Sequence, residues 1–169
     1  AALVFAAPPD CRGESSAAPA PQYGAAPVDI QAALFIKLFL FNNDLNGGGD
    51  LVVHVIDAPE FAAEMAKSIG KKIGKSKFAA VTESAGLPEK APSVVYLGKS
   101  DVLKAVVDYT HAQGVLSITG VPELVRKGVT LGVGIRGQKP KILFNLSASE
   151  KEGMDWNPVI MKIADIVKP

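Results

Sequence analysis

Residues 51–56 read Leu-Val-Val-His-Val-Ile, an apolar run broken only by His54. A strand with one face in water alternates apolar with polar residues. A run that does not alternate fits a strand covered on both faces, the usual state in a parallel sheet packed between helices. The flanks agree. Upstream, Ile30, Ala33, Leu34, Ile36, Leu38 and Phe41 cover much of the circumference of a predicted, largely buried first helix over 28–45, closed by the turn residues Asn46 to Gly49. Downstream, Asp57, Pro59 and Glu60 have the spacing of a helix start, with Asp57 as cap and Glu60 as its reciprocal partner. That helix runs to about Ile69, before Gly70.

The pattern repeats along the chain. Short strands are predicted over 77–82, over 93–97 (Ser-Val-Val-Tyr-Leu) and over 115–118. Between the last two, Ser100 is placed to cap a helix over 101–112, with Val102, Leu103, Val106, Val107 and Tyr109 on its apolar side and Gly114 at its end. A helical turn over 122–127 closes at Gly128. The runs 129–135 and 141–146 flank Gly137, Gln138 and Lys139, which reads as a β-hairpin. Two short helices follow. Ser147 and Glu150 have capping-box spacing before Gly153, and Asn157-Pro158 supplies a cap and a first-turn proline for a helix burying Ile160, Ile163, Ala164 and Val167. The fold class expected is therefore α/β: a mainly parallel sheet flanked by helices, with a C-terminal β-hairpin and two short terminal helices, spanning residues 28–169.

Residues 1–27 read differently. Ala1 to Ala7 is short and apolar and resembles the end of a secretory signal segment. Pro8 to Pro27 is rich in Ala, Pro, Ser and Gly and has almost no periodicity, the composition of a linker that orders only against a partner. Its apolar anchors are Leu3, Val4, Phe5 and Tyr23, which makes these four the candidate partner-binding residues. The lone cysteine, Cys11, follows no lipobox and allows no intramolecular disulfide.

Of the 169 residues, 48% are apolar and 21% charged, and the net charge is +1, which argues against nucleic acid as a partner. The basic cluster Lys71, Lys72, Lys75 and Lys77 reads as a solvated helix end and loop. No apolar run is long enough to span a bilayer. Residues with catalytic or ligating chemistry do not converge. His54 reads as a hydrogen-bonded sheet histidine, and Asp108 with His111 supplies only two groups of a metal site. No serine lies in a Gly-x-Ser-x-Gly setting, and Gly98-Lys99-Ser100 lacks the phosphate-loop glycine where Ser93 stands. Gly132, Gly134 and Gly137 fit hairpin geometry better than a dinucleotide loop, and Trp156 reads as a core plug between two helices. The expectation is no catalytic residue, no cofactor and no metal.

The C-terminal third carries a resemblance. Asn145-Leu146-Ser147-Ala148, Gly153-Met154, Asn157-Pro158, Ile160-Met161 and Ile163-Ala164 follow without a gap the pattern that closes YfiR-like domains. There an Asn-Leu pair ends the last strand, an Ala-rich turn and Gly-Leu follow, then Ser-Ser and a Leu-rich helix. Val115 to Ile118, Gly128, Asp57 and the helix at Val28 to Phe41 extend the likeness over about 28–164. The chain departs from the pattern at Asn42-Asn43-Asp44, where Trp-Pro is usual, at Gly120 in place of an acid, at Val129 in place of a glycine, and in lacking disulfide cysteines. The resemblance implies a periplasmic protein, secreted through a signal peptide, that binds a membrane-anchored signalling protein upstream of cyclic di-GMP. The alternatives are a structural subunit of a large envelope assembly held by the tail, and a small-ligand binder at the C-terminal edge of the parallel strands. The sequence leaves the oligomeric state open, a homo-oligomer included.

Overall fold

The computed structural model describes residues 18–99 and 101–169. Its centre is the expected α/β layer, a nine-stranded sheet. The strands are β1 (Gly24–Ala25), β2 (Gly49–Ile56), β3 (Lys72–Ile73), β4 (Ser76–Ser84), β5 (Val94–Leu97), β6 (Leu116–Thr119), β7 (Leu131–Arg136), β8 (Lys139–Phe144) and β9 (Asp165–Ile166). The order across the sheet is β3-β4-β2-β5-β6-β7-β8-β9, with β1 also paired to β7. Strands β4, β2, β5, β6 and β7 run parallel, as do β8 and β9, while β3, β8 and β1 pair antiparallel with their neighbours β4, β7 and β7.

Successive strand residues point to opposite faces, and the apolar runs use both. Val53, Val55, Val94, Tyr96, Leu116 and Ile118 meet helices α1 (Val28–Leu38) and α3 (Pro59–Ala66) through Phe35, Phe61 and Met65. Ile56, Val95 and Leu97 meet α4 (Leu103–Gln113) and α5 (Pro122–Arg126) through Val106 and Leu124. Helix α6 (Leu146–Glu152) packs beside α4, and α7 (Ile160–Ile163) leads into β9.

Several local expectations need correction. The helix predicted over 28–45 stops at Leu38. A 3₁₀ turn spans Phe39–Phe41 and a separate short helix, α2, spans Asn43–Asn46. The break is at Asn42, which is buried and extended (φ −96°, ψ 117°), bridges to Trp156, and uses its side chain to cap the Leu45 N–H. Asp57 does not cap α3. Its φ of 53° turns it aside, its amide bonds Ser84 O, and Ala58 is the N-cap. Helix α4 starts at Leu103 with Val102 as N-cap, and Ser100 lies outside the described residues. Asn145, not Ser147, caps α6, accepting from Ala148 N at 3.0 Å. Ile163 is 44% exposed, because the chain turns extended at Ala164 before that side of α7 can reach the core.

The hairpin closes through Gly137 and Gln138, both at positive φ (56° and 65°), between the paired Arg136 and Lys139. That is a two-residue loop whose twist matches the strands. Gly132 and Gly134 have a different cause from the one expected. A Cβ on Gly132 would lie 2.4 Å from Val125 Cγ2, and one on Gly134 would lie 2.8 Å from Pro122 Cγ, so both make room for α5.

The segment read as linker is part of the packed structure from Tyr23 onward. Gly24 pairs with Ile135 and Ala25 with Gly134, on the part of β7 that extends past β6, and Ala26 is buried in the main core.

Candidate functional site

The two faces of the sheet are not equally covered. Helices α4 and α5 cover β5 and β6, but on the same face β2 and β4 carry only the loop over 85–93. A bulge in the β2–β4 register between Leu51 and Val52 sets Val52 beside Ala80, His54 beside Thr82 and Ile56 beside Ser84. The result is an open cavity of about 730 Å³ with Val52, His54, Thr82 and Ser84 on its floor and Leu87 and Pro92 on its wall.

The floor contains a serine–histidine contact, and its hydrogen bonds define its role. Ser84 Oγ lies 3.1 Å from His54 Nε2, and His54 Nδ1 lies 2.7 Å from Thr82 Oγ1. His54 Nε2 also lies 3.0 Å from the Gly86 carbonyl, which only accepts. Nε2 therefore carries the proton in the neutral ring, and Nδ1 accepts from the Thr82 hydroxyl. Ser84 Oγ in turn donates to Gly86 O at 2.9 Å. A hydrolytic base needs a free Nε2 lone pair facing the serine and an anion at Nδ1. Here the imidazole ties strand to loop, as a hydrogen-bonded sheet histidine.

Other buried polar groups also hold the fold. Tyr96 stacks on Phe61 (3.7 Å between centroids) and donates its hydroxyl to Gln31 Oε1 at 2.8 Å, while Gln31 Nε2 donates to Ala26 O at 2.7 Å. Burial pushes the Tyr96 phenol up to about 12, with the Gly120 amide pulling weakly the other way. Glu152 accepts from Ser117 N at 3.2 Å through each carboxyl oxygen, from Ser117 Oγ, and from Thr130 Oγ1 at 2.7 Å, which pins α6 to β6 and to the residue before β7. Burial outweighs these donors and lifts its pKa from 4.5 to about 7. Trp156 acts as the expected plug, edge-on to Phe144 at 5.4 Å, with Nε1 donating to Ser149 Oγ at 2.8 Å.

Asp108 and His111 do not act together. Asp108 pairs with Lys104 at 2.6 Å, and the His111 pKa is lowered by burial first and by Lys151 second, against a weaker pull from Asp108. Among the described residues no group of three or more His, Cys, Asp or Glu side chains gathers to hold a metal.

Of the four residues expected at a partner surface, Leu3, Val4 and Phe5 lie outside the described residues. Tyr23 is used inside the fold. Its hydroxyl donates to Asp165 Oδ2 at 2.9 Å, and its ring packs against the cluster of Val125, Leu143 and Val167. Burial and then Asp165 raise its pKa.

The lysine cluster is solvated as expected, with Lys71 and Lys75 in loop and turn and Lys77 in the predicted strand, but Lys72 departs from the expectation and lies on a strand. Lys72 and Lys77 are directly opposite each other on β3 and β4, joined through Gly74 (φ 62°) and Lys75. The signal for this was Gly74-Lys75 between Ile73 and Ser76, a tight-turn pair that reads equally well as loop.

Compared with known proteins, no curated protein matches the chain. Residues 29–165 match the model of one family, from the start of α1 to the start of β9. This covers nearly all of the sheet, both helical layers and the C-terminal motif on which the resemblance rested, and by it the chain belongs to the YfiR/HmsC-like family.

Proposed function

We propose that this protein is a non-catalytic periplasmic regulator that binds the periplasmic part of a membrane-bound diguanylate cyclase and holds it inactive. The observation that carries this reading is the family match over 29–165, since regulators of that pathway are what the family implies. The polar chemistry supports it. The His54–Ser84–Thr82 contact, the Tyr96–Gln31 pair and the Glu152 network are each used in joining elements of the fold. No helix among the described residues is long and apolar enough to cross a membrane.

Regulation by binding requires that the protein prefer the inactive state of its partner, because a binder with equal affinity for two states shifts neither. A preference of roughly a hundredfold, about 3 kcal/mol, would move an evenly balanced cyclase almost wholly to the off state. The test is to export the chain into the periplasm of cells that express a membrane diguanylate cyclase of its own organism, and to measure cyclic di-GMP. A fall that requires export, with co-purification of the two proteins, is the expected result. Unchanged nucleotide with no co-purification would refute the proposal.

A further inference from the structure

Three features of the open side of the sheet lie together. The first is a free strand edge. The antiparallel partner β3, with Gly70 and Lys71 before it, covers β4 only as far as Phe78, whose N–H bonds Lys71 O and whose carbonyl receives the Gly70 N–H. From Ala79 to Glu83 the outer edge of β4 pairs with no strand among the described residues. An unpaired edge is a template for another strand.

The second is an unneutralised positive charge at one end of that edge. Lys72 and Lys77 are opposite each other in the β3–β4 ladder, an arrangement that is destabilising for like charges. Lys71 and Lys75 flank them, and all four are exposed. None makes an ion pair among the described residues. The two pairs present are Lys67–Glu64 and Lys104–Asp108, and Asp50, the register partner of Lys77 on β2, is not within pairing distance. The third is the uncovered face itself. Lys72, Lys77, Thr82 and His54 project to the same side as the 730 Å³ cavity, where Leu87 is 42% exposed.

We propose that an extended, acidic segment of a partner protein adds as a strand to β4 at Ala79–Glu83, with its acidic residues over Lys72 and Lys77 and its apolar residues over the open face beside Leu87. The edge supplies backbone hydrogen bonds, and the lysine pair selects for acidic sequence and against a basic strand. Directly opposed side chains on neighbouring strands come within about 5 Å, so alternate residues of the added strand reach the face at Thr82. This rests on the reading of the protein as a regulator that binds a partner, and it names the surface and the kind of segment used.

The test uses the full chain and two probes. One is a peptide of sequence Glu-Glu-Val-Thr-Val-Thr-Val, with its Lys-Lys counterpart as control. The other is the periplasmic domain of a membrane diguanylate cyclase of the same organism. Hydrogen exchange locates binding, and titration measures its strength in the wild type and in the double variant Lys72→Glu with Lys77→Glu. Upholding the proposal requires new amide protection at 79–83 with at least one probe, and about tenfold weaker binding of that probe by the double variant. No protection at 79–83 with either probe, or equal binding by the double variant, overturns it. If the cyclase domain binds but neither probe protects 79–83, the regulatory reading stands and the edge site falls. If the acidic peptide docks at 79–83 and the cyclase domain does not bind, the edge site stands and the regulatory reading falls.

Discussion

Glu152 makes the stability of this protein depend on pH in the direction opposite to carboxylates whose pKa is lowered by ion pairs or hydrogen bonds. Its side chain is almost wholly buried, and its folded pKa is near 7 against an ordinary 4.5. Below about pH 4.5 both folded and unfolded chains hold the proton, and the group contributes no slope. Between about 4.5 and 7 the folded chain keeps a proton that the unfolded chain has released, so stability falls as pH rises. Above about 7 both are ionised, and the full cost of the buried charge is present. A displacement from 4.5 to about 7 corresponds to about 3 kcal/mol. The variant Glu152→Gln keeps the shape and removes the titration. It lacks the carboxyl geometry around Ser117 and Thr130, so it should be less stable than wild type at pH 5, by about 1–2 kcal/mol. As pH rises from 5 to 8 the difference should shift by about 2.5 kcal/mol in favour of the variant, which then equals or exceeds wild type. Urea unfolding at several pH values measures this, followed through Trp156, the single tryptophan, whose Nε1 bonds Ser149 on the same helix α6. A difference between the two proteins that stays constant from pH 5 to 8 would refute the reasoning.

Other perturbations test the remaining joints. Gly120→Ala places a Cβ 2.0 Å from Gln31 Oε1, which must then leave Tyr96 and Ala26. A loss of about 2–3 kcal/mol is expected, and an unchanged denaturation midpoint would count against that network. Asn145→Ala removes both the cap on Ala148 N and the buried bond to Val125 O, and should lower stability by about 2–3 kcal/mol in the same assay. Gln138→Gly relieves a left-handed side-chain position in the hairpin turn and should be neutral or stabilising by up to about 1 kcal/mol. A clear loss in melting temperature would argue against that turn. Removing residues 1–22 should leave thermal stability unchanged, whereas removing 1–26 should lower it, because Tyr23, β1 and Ala26 go with the longer deletion. Equal melting temperatures for the two truncations would contradict the packing of β1.

What could be read from the chain was what local chemistry decides. The runs at 51–56 and 93–97 are strands because runs of Val, Leu and Ile need cover, which 93–97 has on both sides and 51–56 has from helices on one side and chiefly from the 85–93 loop on the other. Gly114 and Gly153 end their helices at positive φ, as a glycine at that position does. The strands that sequence reading missed, β1, β3 and β9, are two residues each, and two residues carry no period. Their pairing is decided by what lies opposite, which for Gly24 is Ile135. Caps were misplaced by one or two residues for local reasons: Asp57 is turned aside at positive φ, and β8 ends at Phe144, two residues before the end of its apolar pattern, so that Asn145 becomes the cap. The candidate docking edge was hidden for a related reason. The lysines were visible as a cluster, but their charge conflict exists only once Lys72 and Lys77 are known to be opposed.

The hydrogen bond between Tyr23 and Asp165 joins positions 142 residues apart and brings the entry and exit of the packed domain side by side. Whatever precedes Tyr23 and whatever follows Asp165 therefore departs from one corner of the molecule, beside β7–β9 and at the opposite end of the sheet from the β3–β4 edge. A tether attached at either end would hold the domain by that corner and leave the lysine-bearing edge facing outward. The same closeness makes the protein a natural candidate for circular permutation: a short linker could join the two ends, and the chain could be reopened at the Gly137–Gln138 turn without moving any part of the core.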